Sequence, residues 1–306
     1  MHPLLVGFDT HRGSLDNLPA DESYFDYTKA VDGQLVPSTI YATSDSVDDA
    51  LAAMDSFGVK PWFVVLNFNA PHAPFHVPPA ALHTTDVLPP AEPGNYWHYA
   101  RAASEAMDHE IGRLLERMDD STLAETVLVF VGDNGTDKPA TVPPWNPNHG
   151  KGTQFEGGIN VPLVVAGKDV VRGECAHLVS LADLFATFCD LAGVDYELAE
   201  DSVSFAPALL DPEGPAARDW VYSEGFRPNG PGPYEARFRM LRDERYKLVN
   251  RDLADELDRL SFYDLELDPF ETQDLLAGEL TAEQTAAYDA LFELMLPFVL
   301  EGDGQG

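Results

Sequence analysis

Hydrophobic residues follow two alternating patterns over the first two thirds of this chain. Three continuous apolar runs are typical of strands buried on both faces of a sheet. These runs lie at 62–68, 126–131 and 161–166. Helical spacing of apolar side chains predicts three amphipathic helices. These helices lie at 44–58, 96–118 and 179–193. The alternation predicts an α/β fold, with a mostly parallel sheet flanked by helices.

The pattern changes at about residue 218. Short alternating stretches there predict the strands of an antiparallel meander, followed by a terminal helix. The strands are at 238–242, 246–249 and 261–265, and the helix is at 281–300. The sequence therefore predicts an α/β domain over 1–217, incomplete at its amino end, and a small α+β subdomain over 218–306.

The net charge of −33 over 306 residues restricts the partners of this protein. Such a surface repels nucleic acid and anionic membranes, so neither is expected to bind. It also suggests a halophile, because salt near 1 M shortens the Debye length to about 3 Å and screens self-repulsion. The alternative is an ordinary acidic enzyme. An anionic substrate would need local positive charge, which makes each lysine and any metal informative.

Targeting signals and cysteines give little information about the compartment or the function of this protein. No apolar run reaches the ~18 residues of a membrane span, and no signal-peptide pattern opens the chain. As it stands the sequence predicts a soluble cytoplasmic protein, with export open for a longer form. Cys175 and Cys189 have no metal-binding spacing. The sequence predicts neither an oligomeric state nor a definite compartment.

Asp133 and Asn134 directly follow the apolar run that ends at Val131. In α/β sheets, ligands gather at the carboxyl ends of strands, and side-chain oxygens suit a hard divalent cation. The two residues are therefore candidate metal ligands. The alternative is a simple turn, since Asp-Asn-Gly tolerates positive φ.

Lys151 lies in a glycine-rich loop, Gly150-Lys151-Gly152-Thr153. The loop resembles half of a P-loop, but Trp145 occupies the place of the first glycine and Gly152 that of the Ser/Thr. What remains of the P-loop pattern is Lys151, an unhindered lysine that can act as a point charge on an anion.

His72 follows the apolar run at 62–68, within a proline-rich turn. A zinc pair with His76 is excluded by Pro74, which interrupts the helix that such spacing needs. His72 is therefore a candidate for contact with an oxyanion or a leaving group. No G-x-S-x-G motif supports a serine hydrolase.

Five segments, in order, resemble the sulfatase family of the alkaline-phosphatase-like superfamily. They match its "APH-x-P", "(S/G)DNG", "GKG-x-x-x-EGG-x-x-x-P", "D-(I/L)-x-P-T…LAG" and "LYDL-x-x-DP-x-E" motifs. The matching positions begin at Ala70, Gly132, Gly150, Asp183 and Tyr263.

The resemblance implies a sulfuric ester hydrolase with a small-molecule or glycan sulfate ester as substrate. It implies that Asp133 and Asn134 bind Ca²⁺ and that Lys151 contacts the sulfate. It also implies that His72 hydrogen-bonds the sulfate or the leaving oxygen. Specificity would come from rim loops, among them 137–149, which makes His149 a candidate substrate contact.

Three features of the family are missing from this sequence. It has no C/S-x-P-x-R segment to supply the formylglycine nucleophile, no paired aspartates for the metal and no "GKWH". Gly7-Phe8-Asp9 resembles the "GFD" that follows the nucleophile segment, so the chain is expected to be a fragment. Turnover by the isolated chain is expected to be close to nil. The alternatives are a phosphodiesterase or phosphonate hydrolase of the same superfamily, and a non-catalytic binding module.

Overall fold

The computed structural model describes residues 3–19, 21–85, 88–197, 200–228, 232–251 and 259–300. The chain divides into two compact units, Met1–Ala124 and Glu125–Gly306. The sequence-based division between residues 217 and 218 stays a prediction. In the described parts, no helix is both long and apolar enough to cross a membrane.

The first unit combines a small antiparallel sheet with two long helices. Its elements are β1 (Arg12–Gly13), β2 (Tyr27–Val31), β3 (Gln34–Ser38), α1 (Ala42–Phe57), α2 (Tyr96–Arg117) and α3 (Asp120–Ala124). The sheet has the order β1-β2-β3. Its core joins aromatic side chains to small residues of the helices, namely Leu18, Tyr24, Tyr27, Tyr41, Ala42, Ala70, Ala103 and Ala106.

A buried carboxylate, Asp45, ties α1 to the sheet. It accepts hydrogen bonds from Tyr27 Oη at 2.7 Å and Ser38 Oγ at 2.6 Å. Lys29 Nζ donates to its other oxygen at 2.7 Å. Asp45 lies in the first turn of α1, and its charge is compensated inside the unit by Lys29.

The strand predicted at 62–68 is not formed: among the described residues, this segment joins no sheet. Phe63 and Val65 are 56% and 47% exposed. An apolar run predicts burial on two faces, but a strand also needs a neighbour to complete its ladder of hydrogen bonds.

The second unit contains a two-stranded ribbon and a four-stranded sheet. Its elements are β4 (Val127–Val131), α4 (Glu156–Ile159), β5 (Leu163–Gly167), α5 (Asp183–Ala192), α6 (Ala206–Leu210), β6 (Val221–Arg227), β7 (Ala236–Arg242), β8 (Tyr246–Asn250), β9 (Leu260–Asp264) and α7 (Ala282–Leu300). The larger sheet is an antiparallel meander in the order β6-β7-β8-β9. The predicted carboxyl-terminal antiparallel sheet and helix are thereby confirmed.

The predicted parallel character of the main sheet is not confirmed. Every strand pairing among the described residues is antiparallel. In the ribbon, Val131 lies opposite Leu163, so the connection between β4 and β5 returns at the same end. A parallel pair would need a crossover to the opposite end.

The two faces of the meander have different partners. Leu241 and Phe262 pack against Leu291 and Met295 of α7. On the opposite face, Met240 and Val249 belong to a cluster with Phe155, which precedes α4. The sheet therefore supports the segment that includes Lys151.

Candidate functional site

Main-chain hydrogen bonds hold the two predicted functional loops together at one end of the β4–β5 ribbon. Gly135 N donates to Gly158 O at 2.8 Å, and Lys151 N donates to Thr136 O at 2.9 Å. The Asp133–Asn134 turn and the Lys151 loop are therefore joined through their main chains, and their action as a single site stays a prediction.

Glycines permit this close approach. A Cβ atom on Gly135 would lie 1.9 Å from Gly157 O, and one on Gly158 would lie 2.4 Å from Thr153 O. One on Gly150 would lie 2.6 Å from Thr136 O. No other side chain fits these positions without moving the backbone, so the motif glycines serve loop-to-loop packing.

Asp133 and Asn134 are exposed at the end of β4. Asp133 Oδ1 accepts a hydrogen bond from the Asn134 main-chain N at 2.8 Å. Ca²⁺ takes six to eight oxygen ligands, and these two side chains supply a minority of them. No group of three or more His, Cys, Asp or Glu side chains among the described residues could hold a metal ion. The donors suit calcium in kind, but those described here do not complete a site.

Lys151 differs from the lysines that serve the fold. Lys29, Lys168 and Lys247 each pair with a carboxylate within 3 Å. In the described part of the chain, Lys151 Nζ has no carboxylate partner within ion-pair distance. It is half-buried beside the Asp133–Asn134 turn and remains available for an anion.

A buried ionic network lies directly behind the Lys151 loop. Glu156 Oε1 pairs with Lys247 Nζ at 2.8 Å, and Glu156 Oε2 with Arg242 Nη1 at 2.9 Å. Lys247 also pairs with Glu271 Oε1 at 2.9 Å, and Glu271 Oε2 accepts from the Glu156 main-chain N at 2.7 Å. The network connects α4 to β7 and β8.

The two carboxylates of this network differ in their pKa. Burial by itself would raise the pKa of Glu156, but the charges of Lys247 and Arg242 outweigh it and lower that pKa. Burial dominates at Glu271 and raises its pKa, with Lys247 offsetting part of the effect. Glu156 is therefore the carboxylate that the network keeps ionised most strongly.

Glu156 lies in the GKG-x-x-x-EGG motif, which does not by itself indicate these partners. The available signal was Lys247, a lysine inside β8, where all five residues are buried. A lysine is almost never fully buried unless it is paired, so this position indicated a distant carboxylate.

His149 is held by stacking. Its ring lies parallel to that of Phe155, with centroids 3.6 Å apart and 9° between the planes. Burial lowers the pKa of His149, and the nearby charges of Arg251 and Lys247 lower it further. Its buried Nδ1 has no hydrogen-bond partner among the described residues. A contact between His149 and substrate stays a prediction.

His72 belongs to the first unit. Its Nδ1 lies 2.8 Å from Ala73 O and donates to it, because a carbonyl can only accept. Nε2 is then the ring nitrogen left for a ligand, and it carries a proton only in the imidazolium form. The neighbouring His76 is structural, since its ring stacks on Tyr24 at 3.8 Å and Nε2 lies 3.0 Å from Tyr41 Oη. The position of His72 relative to Lys151 stays a prediction.

The described residues form an α/β fold in which the two motif loops are joined by main-chain hydrogen bonds. The chain belongs to the sulfatase family, whose model matches residues 6–194. A second model, N-sulphoglucosamine sulphohydrolase, C-terminal, matches residues 148–293. The family resemblance seen in the sequence is therefore confirmed.

Curated relatives include two sulfatases. The steryl-sulfatase of Mus musculus is 30% identical over 160 residues, which cover 48% of this chain and 24% of the relative. The choline-sulfatase of Rhizobium meliloti (strain 1021) is 26% identical over 175 residues, which cover 55% of this chain and 31% of the relative. The matches span about a quarter to a third of these relatives.

Solved structures share the fold. Ps i-CgsB in complex with k-i-k-neocarrahexaose has a TM-score of 0.71 at 24% identity, covering 89% of this chain and 58% of that chain. BT4656 in complex with its substrate D-glucosamine-2-N,6-O-disulfate has a TM-score of 0.70 at 18% identity, covering 97% and 77%. These similarities establish the sulfatase fold of the chain.

Proposed function

We propose that this chain is part of a metal-assisted hydrolase of sulfuric esters, in which Lys151 binds the sulfate group. The observation that carries the proposal is the ammonium of Lys151, which has no carboxylate partner among the described residues and lies on a loop bonded to the Asp133–Asn134 turn. In a protein with a net charge of −33, an unpaired lysine held in a fixed loop favours an anionic ligand. Family membership favours a sulfate ester as that ligand.

The ammonium of Lys151 would stabilise negative charge on a sulfate oxygen, an effect that is strong in a preorganised site. His72, with Nδ1 committed to Ala73 O, would donate from Nε2 to a sulfate or leaving-group oxygen as the imidazolium. Asp133 and Asn134 are proposed as two oxygen ligands of a Ca²⁺ ion that needs about four more.

The substrate would be a small-molecule or glycan sulfate ester. Relatives and neighbours include proteins named for each kind of compound. Choline-sulfatase is named for a small molecule, and BT4656 was solved with the sugar D-glucosamine-2-N,6-O-disulfate. Turnover also needs a nucleophile, and the sequence has no C/S-x-P-x-R segment to provide one. The isolated chain is therefore proposed to bind sulfate without hydrolysing its esters.

Calorimetric titration of the full chain with inorganic sulfate, at constant ionic strength, tests the anion site. Lys151→Ala should abolish the binding, whereas Lys138→Ala should retain it. Lys138 makes a matched control because its Nζ is bonded to Asn148 Oδ1 at 2.6 Å in the same loop region. Equal binding by both variants would contradict the role of Lys151.

Activity requires a form of the protein joined to a C/S-x-P-x-R segment. There, Lys151→Ala should lower kcat/KM on an aryl sulfate about a hundredfold, roughly 3 kcal/mol. A paired assay with an aryl phosphate diester distinguishes a phosphodiesterase of the same superfamily. Tight calcium binding by the isolated chain, without turnover, would instead favour a non-catalytic module.

A further inference from the structure

The second unit contains a cavity of about 500 Å³ with an aromatic wall. Trp145 and Phe270 form that wall, with ring centroids 5.0 Å apart and an interplanar angle of 84°. Trp145 remains 36% exposed, and Leu265 and Pro269 extend the apolar lining. The volume lies within the range of about 300–1,000 Å³ that is typical of small-molecule sites.

The positive charge at the cavity is already neutralised. Arg242 Nη1 pairs with Glu156 Oε2 at 2.9 Å. Arg242 Nε and Nη2 donate to the main-chain oxygens of Asp243 and Glu244, at 3.0 Å and 3.1 Å. An anionic ligand would therefore find no uncompensated cation here.

A negative charge remains. Glu266, which also lines the cavity, lies 3.2 Å from Arg245 Nε and shares that guanidinium with Asp264 and Glu283. The carboxylate of Glu244 is exposed and has no ion-pair partner in the described part of the chain. The lining thus combines an excess of carboxylate charge, from Glu244 and the partly compensated Glu266, with the aromatic pair of Trp145 and Phe270.

This combination selects a cation with carbon substituents. Aromatic faces attract ammonium groups within about 6 Å of the ring, and quaternary ammonium ions are bound in this way. A bare metal ion would need several oxygen ligands, and no group of three or more His, Cys, Asp or Glu side chains among the described residues could hold one. We propose that the cavity binds an organic ammonium ion, with its charge beside Glu244 and its carbon substituents against Trp145 and Phe270.

The proposal is independent of sulfate ester hydrolysis and can be tested on the full chain as it exists. Choline chloride is the probe, titrated at constant ionic strength and followed by tryptophan fluorescence and calorimetry. The uncharged isostere 3,3-dimethylbutan-1-ol is the matched control ligand. We expect saturable binding of choline and binding of the alcohol that is at least about fivefold weaker.

Three variants locate the site. Trp145→Leu should remove choline binding, and Glu244→Gln should weaken it about fivefold, the loss expected for one partly exposed ionic contact. Glu279→Gln makes the same change in charge outside the lining and should bind as the parent chain does. Absence of saturable choline binding, equal binding of the two ligands, or equal affinities of the Glu244 and Glu279 variants would each overturn the proposal.

Discussion

Lys247 Nζ lies between two carboxylates, 2.8 Å from Glu156 Oε1 and 2.9 Å from Glu271 Oε1, and its side chain is fully buried. Glu156 is the first residue of α4, directly before the glycines that contact the Lys151 loop. The carboxyl-terminal sheet therefore fixes the candidate anion site through an ion pair in its core.

Lys247→Met should destabilise the protein strongly. Removing the ammonium leaves Glu156 with Arg242 alone and takes the ion-pair partner from the buried Glu271, and breaking a buried pair in this way costs about 3–5 kcal/mol. Urea unfolding measures the change in the free energy of unfolding. Lys168→Met is the matched control, because Lys168 and Glu125 form an exposed pair, with 47% and 71% of their side chains accessible. The control should cost less than about 1 kcal/mol, and similar losses in both variants would refute the role given to Lys247.

Asp45 should make the free energy of unfolding depend on pH in the acid range. Burial opposes its ionisation, but hydrogen bonds from Lys29, Ser38 and Tyr27 outweigh burial and lower the pKa of Asp45. A carboxyl whose pKa is lower when folded stabilises above its unfolded pKa, about 3.9, and this contribution is lost as pH falls through the folded value. Asp45→Asn should therefore flatten the loss of stability below about pH 4.

Lys29 should make the free energy of unfolding depend on pH in the alkaline range. Burial opposes its charge, but Asp45 and Asp49 raise the pKa of Lys29 overall. Its stabilisation is fully present below the unfolded pKa of about 10.4 and is lost as pH rises through the folded value. Unfolding curves of the parent chain and Asp45→Asn between about pH 3 and pH 11 check both ends. A variant with the same pH profile as the parent would contradict this account.

Periodicity was sufficient to predict the meander, because its residues alternate between two buried faces. Leu241, Leu248 and Phe262 lie opposite one another in register, as the alternation requires. The strand predicted at 62–68 was wrong. Its apolar residues indicate burial, but they do not determine whether a neighbouring strand is present to form the ladder of main-chain hydrogen bonds. The family motifs indicated Asp133, Asn134 and Lys151 as candidate site residues, and the main-chain hydrogen bonds between their loops are seen only in the structure. The motifs did not indicate the ion pair between Glu156 and Lys247, because 91 positions separate its members.

Gly135→Ala should damage the candidate site by forcing its two loops apart. The added Cβ would lie 1.9 Å from Gly157 O, and a main-chain atom cannot yield as a flexible side chain can. The expected loss is about 3 kcal/mol, together with loss of sulfate binding. Gly112→Ala is the control, since it lies in α2 with no atom near its added Cβ. It should stabilise by up to about 1 kcal/mol, and a Gly135 variant of parental stability would show that the loops are not packed as described.

Salt should stabilise this protein by screening its own charge. The net charge of −33 produces self-repulsion that favours the unfolded chain, and the repulsion weakens as the Debye length falls from about 10 Å at 0.1 M to about 3 Å at 1 M. The Tm should therefore rise over this range of KCl and then level off, because further screening gains little. Tetramethylammonium chloride is unsuitable here, since it is itself an organic ammonium probe of the Trp145 cavity; NaCl is the appropriate second salt. Equal increases in KCl and NaCl indicate screening, whereas an unchanged Tm in both would contradict salt adaptation and leave an ordinary acidic enzyme.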